Sequence, residues 1–310
     1  MIKVLHLDEN HEILENGLAK IGFKNFFDFK SNKKDITKKI EKFHGLVIRS
    51  RIPIDEDLID HAKNLKFIAR VGSGTENIDI EYAKNRGITI LSAGEGNANA
   101  VGEHTLSLIL SLFNNIIKAN NEINNNVWQR EGNRGIELEN KTVGIIGYGK
   151  TGKNFAKKLA GFNVKVLCND IIENIADDYA EQVSIDEIQS KCDIISLHTD
   201  LNKLSKHLVN TQFIDNCKKP FYLINTSRGQ CVKTSDLILG IKTGKILGAC
   251  LDVIENESSS FENFEQDSCL DFLKKSEKVI LTPHVAGWTF ESKSKLSQII
   301  LKKIKDLYSK

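Results

Sequence analysis

The sequence predicts two α/β domains with a cleft between them, the second built on a doubly wound parallel sheet. Three observations carry this expectation. Over residues 1–92, short apolar runs alternate with stretches of helical spacing, the pattern of a parallel sheet with crossover helices. Over residues 142–152, an apolar run breaks into Gly147-x-Gly149-x-x-Gly152 and then takes on helical periodicity. Beyond it, the ends of successive apolar runs coincide with polar clusters, where doubly wound sheets bind their ligands.

The elements follow in order. Residues 3–7 read as a strand, and 14–21 as a short helix closed by Gly22. Residues 36–43 are a helix ending before Gly45, 46–49 a strand, and 56–62 a helix introduced by Pro53. Strands are expected at 65–71 and 88–91, with 82–85 in a helix that stops near Gly87. Residues 101–124 form one long helix whose first turns are apolar nearly all round, so it should be buried on more than one side, bridging two lobes or packing in a dimer. Further strands are expected at 143–147, 164–168, 194–197, 222–225, 247–251 and 279–281, and residues 290–307 have helical spacing.

Bulk properties narrow the class of function. A chain of 310 residues suggests about two domains. With 40% hydrophobic and 27% charged residues it can form a core, and a net charge of +2 calls for neither nucleic acid nor an anionic membrane. The N-terminal apolar run is interrupted at Asp8, too early for a signal peptide, and no run reaches the roughly 18 residues of a membrane helix. Cys168, Cys192, Cys217, Cys231, Cys250 and Cys269 contain no CxxC pair. They read as buried free thiols of a reducing, cytoplasmic compartment, with no metal site.

Each glycine of the 147–152 motif has a physical task in a dinucleotide site. Gly147 makes the tight turn, Gly149 admits a pyrophosphate to the backbone, and Gly152 lets helix and sheet pack closely. The helix start then offers unpaired N–H groups to the phosphates. Asp170 follows Gly149 by 21 residues, the usual spacing to the acid that holds an adenosine ribose.

At the later strand ends the residues become specific. Asn225-Thr226-Ser227-Arg228-Gly229, Asp252-Val253-Ile254-Glu255-Asn256-Glu257 and Leu281-Thr282-Pro283-His284-Val285-Ala286-Gly287 resemble the D-isomer-specific 2-hydroxyacid dehydrogenases. Arg70-Val71-Gly72-Ser73-Gly74 with Asn77-Ile78-Asp79 looks like that family's substrate loop, and Val101-Gly102-Glu103 like the start of its interdomain helix. Within the family the chain is most like a short D-3-phosphoglycerate dehydrogenase without a regulatory domain. The resemblance implies flavodoxin-like and Rossmann-like domains: a substrate domain from residues 1–98 and 288–310, and an NAD-binding domain from 99–287.

The residue chemistry agrees with that reading. Oxidising a 2-hydroxy acid needs a planar cation for the carboxylate or keto oxygen, a base for the hydroxyl proton and a hydride acceptor. Arg228 supplies a bidentate fork, His284 can exchange a proton, and Glu257 can hold the imidazole and stabilise its charged form. By resemblance these are the three catalytic residues. The resemblance also implies pyrophosphate contacts from Lys150 and Thr151, ribose binding by Asp170, and further cofactor contacts from Thr199, Thr226, Ser227, Asp252 and Gly287. It implies that backbone N–H groups of Val71, Gly72 and Ser73 cradle the substrate carboxylate. Arg49 and Arg51 either bind a substrate phosphate or simply cap a strand.

Ser258, Asp200 and Gly94 stand where the family frequently has proline, which loosens loops without removing a reacting group. The expected reaction is NAD-linked interconversion of D-3-phosphoglycerate and 3-phosphohydroxypyruvate by a homodimer, with glyoxylate or hydroxypyruvate as the alternative substrate. An NAD(H)-sensing protein of the corepressor type keeps the same three residues and is the alternative of another class.

Overall fold

The computed structural model describes residues 1–257 and 268–309, which form two compact units, here taken one at a time. The first comprises residues 1–97 and 288–309. Its strands are β1 (Lys3–His6), β2 (Lys24–Phe27), β3 (Gly45–Ile48), β4 (Phe67–Arg70) and β5 (Thr89–Ser92). They pair in parallel in the order β2-β1-β3-β4-β5, so the winding reverses at the β1/β3 junction. Alternation along the strands sorts the core into two faces. Leu46, Ile48 and Ile68 belong to one apolar cluster, and Val47, Phe67 and Ala69 to another.

The C-terminal helix Phe290–Tyr308 closes the second face with Leu296, Ile300 and Ile304, spaced four apart and so on one side of the helix. Each such side chain contributes about 1.5–3 kcal/mol by leaving water. Two expectations change in this unit. β2 is an unpredicted edge strand, because Lys24-Asn25-Phe26-Phe27 is short and only partly buried. The helix expected over residues 36–43 is instead the short helix Lys33–Thr37, capped by Asn32, followed by a 3-10 turn at Ile40–Lys42.

The second unit comprises residues 98–257 and 268–287. Its strands are β6 (Thr142–Ile146), β7 (Lys165–Asn169), β8 (Glu181–Gln182), β9 (Ile194–Leu197), β10 (Phe221–Asn225), β11 (Ile246–Leu251) and β12 (Val279–Leu281). All pair in parallel in the order β12-β11-β10-β9-β6-β7-β8, and the winding reverses between β6 and β9. Both sheets therefore have the α/β architecture expected.

The long helix expected over residues 101–124 is two helices. Ala98–Phe113 buries Val101, Thr105, Leu108, Ile109 and Phe113, whereas Ile116–Asn124 buries no residue. The break is at Asn115, whose φ of 52° is left-handed, a conformation asparagine tolerates and a continuing helix does not. Among the described residues no helix is long and apolar enough to cross a membrane.

Candidate active site

In the second unit, the chain leaves β6 through Gly147, which has φ +89°. A side chain there would also meet the His198 carbonyl carbon at 2.7 Å. Glycine is thus required twice at this turn. Gly149 differs: an added Cβ would meet nothing within 4 Å, so the space beside its backbone is open. At Gly152 an added Cβ would lie 2.3 Å from the Gly147 carbonyl oxygen, which shows how tightly the helix Lys150–Leu159 packs on the turn. No side chain caps that helix at Gly149. A bare loop, open space and an uncapped helix start fit a dinucleotide pyrophosphate.

Asp170 follows β7 and closes the same region. One carboxylate oxygen accepts from the Tyr148 N–H at 2.6 Å and the other from the Ile172 N–H at 3.0 Å. Each oxygen retains a lone pair for a ribose hydroxyl. Tyr148 is a residue the sequence reading passed over. Its ring is fully buried, and its hydroxyl donates to Asp177 at 2.7 Å, fixing the loop after β7 to the glycine turn. Thr199 follows His198 at the end of β9, and its hydroxyl lies 3.5 Å from Cys231 Sγ. His198 stacks on Phe155 with ring centroids 5.5 Å apart.

The three residues expected to be catalytic follow the ends of β10, β11 and β12. Asn225 organises the first turn: its Oδ1 accepts from the N–H and hydroxyl of Ser227, and its Nδ2 donates to the Arg228 carbonyl. Arg228 Nη1 donates to the Ser227 carbonyl at 2.7 Å. The Thr226 hydroxyl lies 3.0 Å from that of Thr105 on the helix Ala98–Phe113.

Asp252 is the centre of the next turn. Its carboxylate accepts from the Thr282 hydroxyl at 2.5 Å and from the N–H groups of Val285 at 2.9 Å and Ala286 at 2.8 Å. Its carbonyl accepts from the His284 N–H at 2.7 Å. Burial alone would raise this carboxyl, but the His104 imidazole 3.5 Å away and the three hydrogen bonds outweigh it and hold Asp252 below the usual carboxylate range. The wrapped loop holds His284 at φ 55°, a left-handed conformation in which histidine is enriched among non-glycine residues. His284 Nδ1 then lies 2.6 Å from Glu257 Oε1, with the two side chains only 23% and 13% exposed. Ser258 lies outside the described residues. His104 was not singled out in the sequence, where it reads as one more position on an apolar helix.

The first unit alters the expectation for Val71 and Gly72 and selects the structural alternative for Arg51. The Val71 N–H donates to the Ile48 carbonyl and the Gly72 N–H to the Arg70 carbonyl, so of the three N–H groups assigned to a carboxylate only that of Ser73 remains. The Ser73 hydroxyl donates to Asn97 Oδ1 at 2.8 Å. Arg51 is a structural clamp: Nε and Nη2 donate to the Leu7 carbonyl, Nη2 also to that of Asp28, and Nη1 to that of Ser31 at 2.7 Å. Arg49 has no such network and stacks on Trp288, with its Cζ 4.2 Å from the ring centroid.

Comparison with known proteins agrees with this geometry. Residues 106–286 match the family described as D-isomer specific 2-hydroxyacid dehydrogenase, NAD binding domain. The hydroxypyruvate reductase of Thermotoga maritima is 32% identical over 272 residues, 88% of this chain and 87% of that protein. The D-3-phosphoglycerate dehydrogenase of Archaeoglobus fulgidus is also 32% identical over 88% of this chain, which spans only 51% of that longer protein. The crystal structure of D-lactate dehydrogenase from Aquifex aeolicus, complexed with NAD and lactic acid, has a TM-score of 0.81 and 27% identity, over 99% of this chain and 95% of that one. A glycine turn with open space beside it, an acid at the ribose spacing, the Glu257–His284 pair and these matches agree: the chain belongs to the D-isomer-specific 2-hydroxyacid dehydrogenase family and carries its NAD-binding domain.

Proposed function

We propose that the protein is an NAD-dependent oxidoreductase interconverting a D-2-hydroxy acid and its 2-keto acid. The observation that carries this reading is the 2.6 Å pair of Glu257 and His284 at the strand ends that also present Arg228. Arg228 binds the substrate carboxylate or keto oxygen through its planar fork. In reduction, bound NADH supplies the hydride to the keto carbon. His284 donates a proton to the oxygen as it becomes an alcohol, and the Glu257 carboxylate keeps the ring oriented. Nδ1 is engaged by Glu257, so proton exchange with the substrate falls to Nε2. In oxidation His284 takes the hydroxyl proton.

The glycine loop, Lys150 and Thr151 hold the pyrophosphate. Asp170 takes the ribose hydroxyls, and Thr199, Thr226, Ser227, Asp252 and Gly287 line the cofactor. In the first unit the Ser73 N–H receives the substrate carboxylate and Arg49 a substrate phosphate. The first-choice pair is D-3-phosphoglycerate and 3-phosphohydroxypyruvate, as in serine biosynthesis, with glyoxylate or hydroxypyruvate reduction second. A homodimer in the cytoplasm completes the reading. It is supported by Ile116, Ile117, Ile123, Val127 and Trp128, all exposed on or just after one helix, and by five buried free thiols. A monomer by sedimentation at micromolar concentration would remove the dimer.

The direct test compares wild type with His284→Ala and Glu257→Gln in NADH oxidation by a 2-keto acid. We expect His284→Ala to lower kcat by about 10²–10⁴-fold and Glu257→Gln by less. NADH affinity should be unchanged in both. Full activity of folded His284→Ala would refute the assignment.

A further inference from the structure

Trp288 lies in no motif that the sequence singles out, and its indole is 66% exposed, so it contributes little to the core. Its ring nevertheless stacks closely on Arg49. Arg49 follows β3 at the β1/β3 reversal, the position where open α/β sheets bind ligands. Its backbone is fixed from two sides: its N–H donates to Asp8 Oδ2 at 2.6 Å, and its carbonyl accepts from Asn77 Nδ2 at 3.0 Å. Among the described residues its guanidinium makes no hydrogen bond, although the residue is half-buried. The contact with Trp288 is made to a ring face, which offers no oxygen acceptor and so takes up no hydrogen bond that an oxyanion could accept. The neighbouring Arg51 is the opposite case, its donors spent on carbonyls.

We propose that Trp288 is a specificity-determining residue: it holds the Arg49 guanidinium plane to receive a second oxyanion, phosphate or carboxylate, at the far end of a 2-keto acid. The inference rests on the reading of Arg49 as a substrate contact and adds what sets its selectivity. A substrate with only the proximal carboxylate gains nothing from the stacked pair. One with a distal oxyanion gains a planar fork held by the indole instead of a freely rotating side chain.

The experiment measures kcat and KM with NADH for glyoxylate, hydroxypyruvate, 3-phosphohydroxypyruvate and 2-oxoglutarate. The proteins are wild type, Trp288→Ala, Trp288→Phe and Arg49→Met, each checked by a thermal melt. Trp288→Ala should raise KM about tenfold for the substrates with a distal oxyanion, leave kcat alone and leave glyoxylate and hydroxypyruvate unchanged. Trp288→Phe should restore most of the loss. Phosphohydroxypyruvate and 2-oxoglutarate distinguish a phosphate from a carboxylate partner. If Arg49→Met is selective but Trp288→Ala is silent or affects all substrates equally, the role of Trp288 is refuted while Arg49 stands. If neither variant is selective, the reading of Arg49 fails and the proposal falls with it.

Discussion

At the β6/β9 reversal of the second sheet the chain turns on nearly bare backbone. Gly147 makes the tight turn against the His198 carbonyl, Gly149 leaves open space, and the helix that follows begins without a side-chain cap. At the β1/β3 reversal of the first sheet the same topological position is filled with side chains. Asp8 binds the Arg49 N–H, Arg51 reaches the carbonyls of Leu7, Asp28 and Ser31, and Asn77 spans Arg49 and Ile52. On the proposed assignment the two parallel sheets solve opposite recognition problems. A pyrophosphate is bound by N–H groups that any residue carries, so what matters is the absence of side chains. A small acid with a variable far end is recognised by particular side chains, which must be held by others.

That difference can be broken at each end. The largest expected effect is at Gly149. An added methyl group would occupy the open space without touching the protein, so Gly149→Ala should melt like wild type while NADH binds about a hundredfold more weakly by fluorescence titration. Unchanged affinity would remove the pyrophosphate from this loop. In the first unit, Arg51→Met should lower unfolding free energy by about 2 kcal/mol, because carbonyls that now accept from a cation lose their donor. Arg49→Met should cost much less in the same urea titration. Equal losses would abolish the distinction between the two arginines. Asp170→Ala should reduce the preference for NAD over NADP in kcat/KM about tenfold, since the carboxylate no longer repels a 2′-phosphate; a preference that does not move would place the ribose elsewhere.

A pH-dependent effect is shared by both units. Burial pushes His6 down to about 4, against the opposing hydrogen bond with Asn25, and pushes His198 down to about 3. The unfolded chain binds these protons near pH 6.5, before the folded one does. Their stabilisation is therefore complete above pH 6.5 and is lost as pH falls through about 4 and about 3, by up to about 1.4 kcal/mol per pH unit for each. His6→Gln should flatten the decline in urea-unfolding free energy between about pH 6.5 and 4.5. An unaltered slope would show that His6 does not contribute to it.

What was legible in the sequence follows the same division. The glycine turn, Asp170 and the strands of the second sheet could be read because backbone geometry dictates residue type there: φ +89° at Gly147 leaves little choice. Arg228, Glu257 and His284 were legible as polar residues at strand ends. The pairing of Glu257 with His284 was expected as well; what the sequence did not show is the way Asp252 wraps the loop over residues 282–286 to bring it about. The long helix was misread because Asn114 and Asn115 carry no proline or glycine signal, and only the tertiary fold selects the left-handed φ of Asn115. Arg49 and Arg51 could not be told apart, two residues apart and chemically alike, because which carbonyls lie within reach is a property of the folded loops. Trp288 gave no signal for the same reason.

The most direct test of the central claim follows NADH binding by fluorescence and NADH oxidation by absorbance in one preparation of the wild-type protein, with glyoxylate and 3-phosphohydroxypyruvate as oxidants. The account predicts saturable NADH binding together with multiple turnovers, a D-2-hydroxy acid product, and a higher kcat/KM for 3-phosphohydroxypyruvate. Tight NADH binding with no turnover on either acid would contradict it, and would identify the Glu257–His284 pair as part of a dinucleotide sensor.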